Sequence, residues 1–96
     1  MEQQIVIKTG AGVSIRPLLE AAVQNEQKLL SHGIRRTKER LAAFERRFNM
    51  SSAEFERKYT QGDIEETLDF IDWMMEIKAL QLLEQQHQAL GEARFD

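Results

Sequence analysis

The sequence predicts an all-α fold: a long antiparallel helical hairpin, dimeric, with a short helix at its turn and a short β-like arm in front. Three observations predict it. A largely apolar seam keeps steps of four and three from Leu19 to Phe48, the rhythm of a helix that packs along its whole length. Two capping boxes follow, Ser51-Ser52-Ala53-Glu54 and Asp63-Ile64-Glu65-Glu66, each the signature of a helix start. The 96 residues include one proline and five glycines, so little interrupts a helix, and the length suits one domain, 1–96.

Residues 1–12 read as an N-terminal arm. Ile5-Val6-Ile7 is a β-branched run, with Gly10 and Gly12 as a turn or hinge behind it. The run is too short to find a strand partner in its own chain, and an isolated strand is unstable in water. Ile5, Val6 and Ile7 are therefore expected to form an assembly arm, paired with their counterpart in a dimer or with a partner's sheet edge. Gly10-Ala11-Gly12 lacks the third glycine, or the Gly-Lys-Ser/Thr, of a phosphate loop.

The first long helix is expected over 14–48, with Ser14 as N-cap and Pro17 in the first turn. Its seam is Leu19, Val23, Leu30, Ile34, Leu41, Phe44 and Phe48, with Gln27 and Thr37 filling the remaining seam positions. Such a helix is about 50 Å long. That is too long for a small globule to cover, so it belongs to a hairpin, a dimer, or both.

Asn49 is suited to the left-handed backbone geometry that ends a helix. A short helix is expected over 51–60, closed by Gly62, and a second long helix over 63–90, opened by the aspartate capping box. The residues from Gly91 onward are expected to fray.

The second long helix has two apolar faces. Ile64, Leu68, Ile71, Met75 and Leu82 point one way, and Phe70, Trp73, Ile77 and Leu80 point roughly opposite. One face can pack on the first helix, which leaves the other for a second copy or another protein. The first set is expected to be the intramolecular core. Phe70, Trp73, Ile77 and Leu80 are expected to bind the partner, because their spacing suits helix-in-groove docking and tryptophan is a frequent hot spot.

Charge divides unevenly along the chain. The net of −3 hides a basic stretch, 35–58, followed by an acidic C-terminal third. Arg35, Arg36, Arg40, Arg46 and Arg47 form a candidate basic patch, which could meet nucleic acid, an acidic partner, or that acidic third. Antiparallel packing favours the third option. The arginines also point in several directions, and the nearby phenylalanines lie on the seam, so the case for nucleic acid is weak.

Chemistry has few footholds. There are no cysteines, which excludes disulfides, thiolate metal sites and a cysteine nucleophile. Glu65, Glu66, Asp69, Asp72 and Glu76 resemble half of a magnesium site, but the other long helix has no second acidic motif to complete it. Glu84 and His87 have the spacing of a di-iron ligand pair, yet they sit in a glutamine-rich helix end. No serine or threonine is set beside a histidine as nucleophile and base. No catalytic residue, metal or cofactor is expected. The mean hydropathy of −0.50 and short apolar runs predict no membrane span, and the polar start predicts no signal peptide. The expected setting is the cytoplasm.

The segment Phe44-Glu45-Arg46-Arg47-Phe48-Asn49-Met50-Ser51-Ser52-Ala53-Glu54-Phe55, followed by Gly62-Asp63, Glu66 and Asp69-Phe70-Ile71-Asp72-Trp73, resembles a family of small prokaryotic antitoxin-like proteins. They are typically encoded beside a TumE-type toxin. The resemblance spans roughly 16–83 and includes Asn25-Glu26 and Gly33-Ile34-Arg35-Arg36-Thr37. Glycine is commoner in the family where this chain has Asn49, and the arm lies outside the resemblance. The resemblance implies a non-enzymatic protein that neutralises a cognate toxin encoded nearby. The alternatives are a coiled-coil homo-oligomeric scaffold or adaptor, and a DNA-binding regulator using the basic helix.

Overall fold

The seam predicted for the first helix is the seam the structure uses. A computed structural model describes residues 3–5 and 15–95. Helix α1 spans Arg16–Phe48. Leu30, Thr37 and Leu41 are buried along it, and Leu19, Val23, Gln27, Ile34, Phe44 and Phe48 are half-buried. Ile15 occupies the N-cap without a side-chain hydrogen bond, and a proline follows in the first turn, where its missing N–H costs nothing. The proposed cap, Ser14, lies outside the described residues.

Asn49 ends α1 at φ 51°. The N–H groups of Asn49 and Met50 both donate to the Glu45 carbonyl. Helix α2, Ser52–Thr60, starts as its capping box predicts: Ser51 Oγ accepts the Glu54 N–H at 3.1 Å. It closes on Gly62 at φ 77°. There the N–H groups of Gly62 and Asp63 donate to the carbonyls of Tyr59 and Lys58, the Schellman pattern that favours glycine.

Helix α3 spans Leu68–Gly91, so it begins five residues after the capping box at Asp63. The cap is Thr67, whose Oγ1 accepts the Phe70 N–H at 3.1 Å. The earlier start loses because its residues are held elsewhere. The Asp63 N–H closes α2, Ile64 packs on the core, and Glu66 accepts the Tyr59 hydroxyl at 2.9 Å.

Helices α1 and α3 run antiparallel. Arg47 meets Asp69 at 2.9 Å, Arg40 meets Glu76 at 3.3 Å, and Ser31 meets His87 at 3.1 Å. The hairpin measures 60 × 22 × 19 Å. Its radius of gyration is 18.8 Å, against about 13 Å for a compact chain of this size.

The arm departs from expectation. Strand β1, Gln3–Ile5, pairs in parallel with strand β2, Ala93–Phe95, of the same chain. The C-terminal residues expected to fray therefore supply the partner that the arm was expected to seek elsewhere. Val6 and Ile7 lie outside the described residues. The fold remains all-α, with this three-residue pair joining its ends.

Candidate functional site

The aromatic residues gather where the three helices meet. Trp73 and Phe55 are both 0% exposed. Phe44, Phe48, Phe70 and Tyr59 pack around them with Leu41, Ile64 and Ile77. Phe44 and Phe48 stack on the indole at 5.6 and 5.7 Å, and Phe70 meets Phe48 edge-on at 5.0 Å. The indole N–H donates to Ser52 Oγ at 3.0 Å, which satisfies the one polar atom the ring carries. Glu45 Oε2 accepts the Ser52 N–H at 2.7 Å, tying the turn to α1.

This geometry corrects the assignment of faces on α3. Phe70, Trp73, Ile77 and Leu80, expected to bind a partner, are core: Trp73 and Ile77 are buried, and Phe70 and Leu80 pack against them. The face expected inside points outward, with Leu68 82%, Met75 65%, Leu82 54% and Ile71 36% exposed. Of that set only Ile64, which precedes the helix, joins the core. Both faces have helical spacing, but only one has aromatic partners. α1 and α2 supply three phenylalanines to pack on Trp73 and Phe70, and Tyr59 packs behind them on Phe55.

Grooves flank the outward row on both sides. Between α1 and α3 lies one of about 440 Å³, lined by Arg40, Ala43, Phe44, Arg47, Asp72, Met75 and Glu76. On the α2 side lies one of about 410 Å³, lined by Tyr59, Ile71, Met74, Met75, Lys78, Ala79 and Leu82. Met75 borders both.

The charged residues form pairs across the hairpin. Arg40 and Arg47 meet the acidic third of the chain at Glu76 and Asp69, as the charge division predicts. Arg35 donates to His32 Nδ1 at 2.8 Å. Arg36 and Arg46 are exposed and have no ion pair among the described residues. The five arginines therefore do not act as one patch. Lys78 reaches back to Glu56 at 3.3 Å.

Two further titratable side chains have partners on another part of the chain. Tyr59 donates its hydroxyl to Glu66, and that bond, with partial burial and the nearby negative charge, raises its pKa above the ordinary 10.0. Ser31 Oγ lies 3.1 Å from His87 Nε2 across the hairpin, so a serine and a histidine do meet, contrary to the sequence expectation, because antiparallel packing joins positions that are 56 residues apart. No cluster of three or more histidine or acidic side chains is placed to hold a metal ion among the described residues. No described helix is long and apolar enough to cross a membrane. Comparison with known families, characterised proteins and solved structures gives no match.

Proposed function

We propose that this chain is a non-enzymatic, antitoxin-like binding protein of the prokaryotic cytoplasm. It neutralises a cognate toxin encoded nearby by docking it on the outward face of α3. The observation that carries this reading is the exposed row of Leu68, Ile71, Met75 and Leu82. Contiguous exposed apolar side chains of this kind mark interaction surfaces. Their spacings of three, four and seven match the anchors of a helix that lies in a partner's groove. The sequence resemblance across 16–83 supplies the class of partner.

Co-expression with the neighbouring gene, followed by affinity capture, tests the reading. Wild type should co-purify with the neighbour's product and relieve its toxicity. Met75→Asp should keep its helicity and lose both effects. Capture of the neighbour by Met75→Asp as efficient as by wild type, or no capture by wild type, overturns the proposal.

A further inference from the structure

Toward the open end of the hairpin, α1 and α3 enclose a further groove of about 560 Å³, lined by Gln24, Gln27, Lys28, Ser31, His32 and His87. It shares no residue with the outward row of α3. Each of the six side chains can donate a hydrogen bond, and none is a carboxylate. Glu84, one turn before His87, is exposed and lies outside the lining.

Two contacts fix what these groups offer. Arg35 Nη2 lies 2.8 Å from His32 Nδ1. A guanidinium can only donate, so Nδ1 accepts, and the neutral ring carries its hydrogen on Nε2. His32 therefore keeps one N–H for a ligand. Ser31 Oγ and His87 Nε2, 3.1 Å apart, share a single hydrogen. If the serine gives it, His87 keeps an N–H at Nδ1; if the ring gives it, the serine hydroxyl hydrogen is free. Either arrangement leaves one donor over. Lys28 is exposed and has no ion pair among the described residues, and Arg35 sets a second positive charge behind His32.

Donors from two helices, two positive charges and no carboxylate suit an anion that accepts in several directions. We infer that this groove binds the phosphate group of a small-molecule phosphate monoester. Near neutral pH a monoester is close to a dianion with three acceptor oxygens, which matches Lys28 and Arg35 in charge and the donor set in number. A phosphodiester carries one charge and two free oxygens, and a carboxylate holds its two oxygens in one plane. Each of these leaves part of the donor set unused. Lys28 meets the phosphate directly, and Arg35 acts through the imidazole it orients.

The chain has two histidines, and both line the groove, so their ring C–H proton resonances report on it. At about pH 7.5, where a monoester is dianionic, and at constant ionic strength, methyl phosphate should move both signals saturably. Dimethyl phosphate and chloride should not. Lys28→Gln should weaken the binding about two- to fivefold, the range of an exposed charge pair. Lys38→Gln, exposed on α1 outside the groove, should leave it unchanged. No saturable movement, an equal response to dimethyl phosphate or chloride, or binding by Lys28→Gln as tight as by wild type overturns the inference.

Discussion

The rings of Phe55 and Trp73 lie parallel, with centroids 4.0 Å apart, and neither has exposed surface. Phe55 belongs to α2 and Trp73 to α3, so this stack fixes the short helix against the hairpin. The Trp73–Ser52 hydrogen bond adds a direction to it. A stacked pair is worth about 0.5–1.5 kcal/mol beyond its buried area, and the burial itself is larger.

Truncating the indole tests that arrangement. Trp73→Ala should cost about 3–5 kcal/mol, a large share of the stability of a small domain. Leu68→Ala, on the exposed face, should stay within about 0.5 kcal/mol. Urea melts followed by circular dichroism give both values. Similar losses at the two positions would reverse the assignment of faces.

The start of α3 is open to a direct comparison. Thr67→Ala should cost about 1 kcal/mol through loss of its cap, and Asp63→Ala about 0.5 kcal/mol or less. If the aspartate variant is the weaker one, the helix begins at 63 in solution.

Asn49 carries a left-handed backbone. Asn49→Gly should be neutral or slightly stabilising, and Asn49→Ala should lose roughly 1 kcal/mol. Thermal melts of the two variants should therefore bracket wild type.

The chain has one tyrosine, so tyrosinate absorbance follows Tyr59 alone. Its midpoint should lie above 10.0, and Glu66→Gln should bring it back toward that value by removing the charged acceptor. The raised pKa means that the native state keeps a proton which the unfolded chain gives up first. This contribution is whole below pH 10.0 and disappears as pH rises through the folded pKa. An unchanged midpoint in Glu66→Gln would detach the hydroxyl from Glu66.

The seam of α1 could be read from sequence because a single apolar stripe leaves no choice of face. Leu30, Thr37 and Leu41 are buried where the spacing puts them. α3 carries two stripes of equal periodicity, and spacing cannot say which turns inward. That choice depends on complementary volume in other elements: Phe44 and Phe48 end the seam of α1, and Phe55 follows on α2. Aromatic residues concentrated near the turn are the signal that points to Trp73. The capping boxes show a related limit. Ser51 caps and Asp63 does not, because tertiary contacts hold Ile64 and Glu66 before a helix can form there.

The buried aromatic cluster sits at the closed end of the hairpin, between Leu41 and Ile77. Its members are close along the chain, so little loop entropy opposes their meeting. Folding is therefore expected to begin at the turn and run toward the ends, and amide exchange should quicken from Trp73 toward Gly91. Strands β1 and β2, the most distant pair in sequence, should come together last and part first.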